Sequence, residues 1–376
     1  LETIIAQSTT PINFGDSNNY LNGKVILYVP NASETDYEAN TKLATLFGTG
    51  RIKPILELNG ESDVTTGIGT TYVDAGAVVA GFDKASASEY MKYGYTSTST
   101  SSVDTSKTGS YKVTYILTYS VKGESTTRTE TVVRNVVVNK PVLEAPTSAN
   151  IFGSSFKKDT VTKIVIANSF DKAPSAYVEN GRWDISATGY EGSVYAYLAL
   201  NTDGTTHTLY IVAGGTIEVT SGCDLFSHYS NCTSIEGMEN LNTSNVTDMS
   251  WMFSNSSSLM DIDISMLDTS KVTTMEAMFY DCQAVKNINL NGIDTSKVKY
   301  MGKSRKDSKG IFEGCTSLTN IDTTQLNIDS VISTSAMFKD CSSLTSIDFS
   351  GRNLNAVTDM SAMFSGCSNA TTINLT

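Results

Sequence analysis

The sequence predicts a mainly β protein with short helices, in which a stack of strand–turn–helix coils follows a β-sandwich. Three observations predict it. An aromatic position recurs as Phe253, Phe279, Phe312, Phe338 and Phe364, in steps of 26, 33, 26 and 26 residues. Each recurrence is followed by one apolar spacing, as in Leu344-x-x-Ile347-x-Phe349, the shape of a short strand in a repeating coil. Upstream, Val113, Tyr115, Leu117 and Tyr119 alternate with Thr114, Ile116, Thr118 and Ser120, and Val132–Val138 is a β-branched run; both are strand patterns. At 376 residues the chain exceeds the usual size of one hydrophobic core, so two or three domains are expected.

Taken in order, residues 1–54 hold a strand, Lys24–Pro30, stopped by proline. Ser33-Glu-Thr-Asp36 then fits a capping box, which predicts a helix through about Phe47. Residues 55–139 read as about seven short strands separated by Gly/Ser/Thr clusters, the clearest being Thr96–Ser102. Residues 140–224 hold β-rich runs (Thr162–Ala167, Ser193–Ala199, His207–Ala213) without a repeat, where an array needs a cap over its first open coil. Residues 225–376 are the repeats, with a degenerate first copy at Leu225-Phe226 and seven extra residues around Gly302–Gly310. Within a coil, Val272, Met275, Met278 and Phe279 fall at helical spacing, preceded by Asp268-Thr269-Ser270 as turn and N-cap, so a short helix is expected there.

Asn245–Phe253 (N-V-T-D-M-S-W-M-F), its echo Ala356–Phe364 and the run Cys341–Ser350 resemble the BspA-like leucine-rich repeats of bacterial surface proteins, also abundant in mycoplasma lipoproteins. The resemblance covers about 225–376 and implies a leucine-rich-repeat solenoid. Residues 1–54 resemble the last coil and C-terminal cap of another such array, which implies Leu1–Ile5 as its last strand. Ile55–Gly60, Gly69–Gly76 and Val103–Tyr115 resemble bacterial Ig-like surface domains, which implies a sandwich acting as spacer. The chain opens on Leu1 with no basic-then-apolar leader, so a piece of a longer protein is expected.

Lys and Arg number 27 against 39 Asp and Glu, a net charge of −12, the wrong sign for wrapping a phosphate backbone. No apolar run approaches the roughly 20 residues needed to cross a bilayer. Neither nucleic acid nor membrane insertion is therefore expected of this fragment. Hydrolase and metalloprotease signatures are missing, and Gly302-Lys303-Ser304 lacks the first glycine of a P-loop because Lys297 stands there. His207 and His228 have no spaced metal partners and read as structural. The expectation is a non-enzyme with no cofactor and no metal.

Cys282, Cys315, Cys341 and Cys367 each lie three residues after a repeat phenylalanine, and no C-x-x-C pair exists, so they read as a column of small buried thiols. Cys223 and Cys232 fall outside that slot and are the candidate oxidised pair in a secreted protein. Because strand side chains alternate, the residues flanking each inward Ile or Leu must face out. These are Asp261 and Asp263, Asn287 and Asn289, Asn320 and Asp322, Ser346 and Asp348, and Asn374 after Thr372. Such a polar strip suits a basic protein segment, a glycan or a cation; the alternative is a solvated ladder of short polar side chains. The insertion carries Lys303, Arg305, Lys306 and Lys309, a basic cluster on an acidic chain, read either as a contact for an acidic partner or as a solvated loop. The family resemblance implies an extracellular location on a bacterial cell surface, with adhesion to a host extracellular protein, a glycan or a neighbouring bacterium; a structural spacer presenting another domain is the alternative.

Overall fold

The computed structural model describes residues 3–5, 26–29, 52–54, 56–79, 96–101, 103–120, 127–145, 156–302, 304 and 309–375. The helix expected over 33–47 lies outside the described residues. The chain divides into two units, Leu1–Thr65 with Thr71–Val138, and Thr66–Thr70 with Asn139–Thr376.

In the first unit, β1 (Thr3–Ile5), β2 (Ile26–Val29) and β3 (Ile52–Pro54) form a parallel three-stranded sheet. Strand β4 (Leu56–Leu58) pairs antiparallel with β6 (Ala77–Val79). Strands β5 (Asp63–Gly67), β7 (Thr96–Ser101), β8 (Gly109–Ser120) and β9 (Thr127–Asn139) form one sheet in the order β5-β9-β8-β7, antiparallel at the β7–β8 and β8–β9 pairings. The Thr96–Ser102 run expected to separate strands is therefore largely a strand itself. Polarity suggested a loop, but its alternating threonines are β-compatible, and the ladder to β8 satisfies its backbone. Val113, Tyr115 and Leu117, every second residue of β8, are buried with Val136 and Leu56. The period of two thus selects the core face.

The same core holds a charged side chain. Arg134 is 1 % exposed. Its guanidinium donates to Glu61 O at 3.0 Å and Gly76 O at 3.3 Å, to Asn59 O, and pairs with Asp74. Burial alone would raise the Asp74 carboxyl; hydrogen bonds from Tyr115 and Tyr72 with the Arg134 charge hold it below its ordinary value instead. Burial, with the Asp74 carboxylate beside it, pushes the Tyr115 phenol up to about 12.

The second unit opens with β10 (Val142–Leu143), β11 (Val161–Ala167), β12 (Arg182–Asp184), β13 (Val194–Leu200), β14 (His207–Ala213), β15 (Ile217–Val219), β16 (Ser234–Glu236) and β17 (Leu241–Asn242). Five of these form a mixed sheet in the order β12-β13-β14-β11-β16, and β10-β15-β17 form a small parallel one. Ile164, Ile166, Leu209 and Ile211 from the mixed sheet share one continuous core with Phe226, Phe253 and the apolar residues of the following coils.

Those coils carry β18 (Asp261–Asp263) paired in parallel with β19 (Asn287–Asn289), and β20 (Ser346–Asp348) paired with β21 (Thr372–Asn374). A second line of parallel bridges runs Asp248–Thr274–Tyr300–Ser333–Asp359. Stacking places the repeat phenylalanines in one column. Centroids from Phe253 to Phe279, Phe312 and Phe338 are 5.6, 5.5 and 5.3 Å apart, with ring planes within 12°.

The short helix expected in each coil is not formed. Among the described residues, helix is confined to 3-10 turns of three residues each: Lys158–Thr160, Phe170–Lys172, Met238–Asn240 and Thr323–Gln325. The Val272–Phe279 stripe is a succession of turns. Met278 N–H donates to Met275 O and Tyr280 N–H to Ala277 O, whereas the N–H groups of Met275, Phe279 and Asp281 donate to the next coil at 3.0, 2.9 and 2.8 Å. An α-helix over this stripe would turn the N–H groups beyond its first turn inward to its own carbonyls, taking those of Phe279 and Asp281 away from stacking. The turns require left-handed residues, and Ala277, Asp281, Ala336 and Asp340 adopt φ of 55–59°. The insertion leaves this arrangement intact because Ile311 N–H donates to Met301 O at 2.8 Å and closes the loop at its base. At its two ends a Cβ on Gly302 or Gly310 would fall 2.2 or 1.9 Å from backbone atoms of Ser335 or Ala336, so glycine is required there.

Candidate functional site

The predicted strip is present as an outward face. Asp261, Asp263, Asn287, Asn320, Asp322, Ser346 and Asp348 are exposed, and Asn289 and Asn374 half-buried, while the intervening Ile262, Ile288, Ile321 and Ile347 are buried. Parallel pairing sets Asp261 beside Asn287 and Asp263 beside Asn289, and Asn287 Nδ2 donates to Asp261 Oδ1 at 2.8 Å. Asn320 and Asp322 lie on a coil without a regular strand, where Asp322 instead starts a 3-10 turn.

The central column has a local task. Asp263, Asn289, Asp322 and Asp348 each accept, through Oδ1, the backbone N–H two residues on, at 2.9, 3.1, 2.9 and 2.8 Å. These Asx turns end each strand. Hydrogen bonds from Ser265, Thr324 and Ser350 hold the three carboxyls below their ordinary value, so this contribution is present at neutral pH and lost as pH falls through the depressed values. Neighbours add to this: Gln325 Nε2 reaches Asp322 Oδ2 at 3.4 Å, and the Asn289 side chain hydrogen-bonds the Asp263 carboxylate.

At the start of the strip the ladder breaks. Strand β16 ends the five-stranded sheet and β18 begins the next, and a groove of about 380 Å3 opens between them. Among its lining residues Phe253, Leu259 and Met238 are buried and form the floor, while Met266, Glu239, Asp261 and Asp263 are exposed. Sequence reasoning found Asp261, Asp263, Asn287 and Asn289 of this lining and missed the wall from 235–239, which lies outside the repeat pattern. Its one local signal is Gly237, which at φ 85° turns the chain out of β16.

Of the basic cluster, Lys303, Arg305 and Lys306 lie outside the described residues. Lys309 is turned inward: half-buried, it sits 5.3 Å over the Tyr280 ring and 3.9 Å from the Glu313 carboxylate, which also binds Lys339 at 2.9 Å.

The cysteine column is a set of hydrogen-bond donors. Cys282, Cys315, Cys341 and Cys367 donate from Sγ to Phe253 O, Phe279 O, Phe312 O and Phe338 O at 3.1–3.2 Å. Ser256, which breaks the cysteine pattern, makes the same bond to Phe226 O at 2.8 Å. Burial raises all four thiols, Cys282 to about 12, so none is poised as a thiolate. The expected Cys223–Cys232 disulfide is not formed; both are free thiols, and Cys232 Sγ donates to Ser234 O at 3.2 Å. Because Ser256 already fills the slot, Cys315→Ser is expected to cost under about 1 kcal/mol and Cys315→Ala about 1–2 kcal/mol in denaturant titrations. Equal losses would contradict the donor role.

Both histidines are held by polar contacts: His207 Nδ1 lies 3.1 Å from Thr160 Oγ1, and His228 Nε2 3.4 Å from Asn255 Nδ2. No group of three or more metal-ligating side chains, and no helix long and apolar enough to cross a membrane, occurs among the described residues.

The fold and face therefore define a mainly β protein whose second unit is a stack of similar coils. Residues 220–309 and 303–374 match the model of a family described as "Mycoplasma protein of unknown function, DUF285". No curated protein and no solved structure matches the chain.

Proposed function

We propose that this chain is a non-enzymatic module of a bacterial cell-surface protein, binding an extracellular ligand through the polar strip of a BspA-like leucine-rich-repeat solenoid. In this reading residues 55–139 are an Ig-like spacer, residues 140–224 cap the array, and residues 1–54 end a preceding one. The observation that carries the reading is the outward column of Asp263, Asn289, Asp322, Asp348 and Asn374, whose three carboxylates are exposed. The Mycoplasma family match over the same coils is in keeping with a surface location.

One observation favours a structural alternative, a stalk presenting another domain: four of these side chains already hold their own Asx turns. A binding screen on extracellular-matrix proteins and glycans, with and without calcium, separates the two. The triple variant Asp263→Asn, Asp322→Asn, Asp348→Asn keeps the turns, as Asn289 does, while removing three charges. It is expected to weaken any hit at least tenfold. Silence of the folded wild-type chain across the screen would sink adhesion in favour of the stalk.

A further inference from the structure

Resting on the strip as ligand face, we infer that the groove between β16 and β18 is its specific binding site, and that it takes a lysine or, better, an arginine side chain from an extended basic segment of another protein. Three features meet there. The floor is apolar, made by Phe253 and Leu259. One wall carries Met266, a large apolar side chain left 61 % exposed. Around the opening stand Glu239, Asp261 and Asp263, all exposed, and among the described residues no lysine or arginine forms an ion pair with any of them.

Apolar floor and acidic opening together match one kind of side chain. Lysine and arginine bury an aliphatic stem along apolar surface and keep a cationic head at the edge. Here the stem lies along Met266, the exposed apolar side chain of the groove, and the head reaches the carboxylates. A guanidinium, planar and able to bond two carboxylate oxygens at once, fits neighbouring acids better than a point-like ammonium. A metal ion fits less well, since no metal-ligating group of three or more occurs among the described residues. A sugar ring would want an exposed aromatic face, and Phe253, the groove's ring, is 1 % exposed. Further along the strip, β20 and β21 are paired in register, and the face there offers one carboxylate, Asp348, against three in the groove.

The test titrates the whole chain with tetra-arginine, tetra-lysine and uncharged tetra-citrulline amides by calorimetry at low and moderate salt. Tetra-arginine should bind saturably, at least threefold tighter than tetra-lysine, with citrulline silent. Asp261→Asn with Asp263→Asn should weaken tetra-arginine at least tenfold; both positions tolerate asparagine, which occupies them in the next coil as Asn287 and Asn289. Met266→Ser, which leaves charge untouched, should weaken it about threefold or more. Asp268→Asn with Asp294→Asn removes two charges elsewhere on these coils and should change affinity less than twofold. A loss from that control pair equal to the groove pair would reduce the binding to long-range attraction and overturn the site. An equal loss from Asp322→Asn with Asp348→Asn would move recognition down the strip, overturning the groove while leaving the strip reading intact. No saturable binding by the folded chain would overturn the groove alone, because adhesion is judged by the separate matrix and glycan screen.

Discussion

Phe312→Ala is expected to destabilise the second unit by about 3–5 kcal/mol, the largest effect of any single truncation in the coils. Phe312 is 0 % exposed and sits mid-column, its ring 5.5 Å from Phe279 and 5.3 Å from Phe338 with near-parallel planes. Truncation opens a cavity between three coils at once. In a stacked array each coil is stabilised chiefly by its neighbours, so two interfaces weaken together. Phe364 belongs to the last described coil, is half-buried and stacks on Phe338 at 6.1 Å. Phe364→Ala should therefore cost clearly less, about 1–2 kcal/mol. The two tryptophans of the chain, Trp183 and Trp251, both lie in the second unit, so tryptophan fluorescence during guanidinium titration reads that unit selectively. A loss below 1 kcal/mol at Phe312, or equal losses at both positions, would refute the picture of a core built between coils.

The second large effect is expected in the first unit. Arg134→Met should lower its stability by about 3–5 kcal/mol, although methionine preserves much of the stem. The guanidinium joins β9 to Asn59, Glu61 and Gly76 through their carbonyls and neutralises Asp74. Its removal leaves those acceptors and one carboxylate without their cation, and desolvated acceptors cost more than the bonds contributed. Hydrogen-exchange mass spectrometry should show the loss as reduced protection of peptides from 109–139. Arg134→Lys, which keeps the charge but not the fork, should recover only part of the stability. Unchanged protection in Arg134→Met would mean that the buried charge is not needed to hold these segments.

Much of this architecture was legible in the sequence because it is periodic. The phenylalanine interval located the coils, and period-two alternation placed Val113, Tyr115 and Leu117 inward and Asp261, Asp263 and Asp348 outward. Conformation within a coil was less legible. Val272, Met275, Met278 and Phe279 fit a helical stripe, yet a train of turns has almost the same spacing, and only stacking selects it by demanding alternate N–H groups for the next coil. The threonines before each stripe hid a second task in the same way. Thr243, Thr269 and Thr295 donate from Oγ1 to carbonyls of the following coil at 2.8–3.0 Å, so a residue expected as turn and N-cap is also a bond between coils.

For the candidate site, the sequence by itself determined which residues face outward, because strand alternation is a local rule that each coil obeys alone. Only the tertiary structure decided that Lys309 turns inward onto Glu313 and Tyr280, that Cys223 and Cys232 remain thiols, and that a groove opens at β16. The reason is the same for all three. Each lies where the repeat is interrupted, set by how the mixed sheet meets the first coils and how the insertion closes on the stack, and a repeat pattern carries no information at such places.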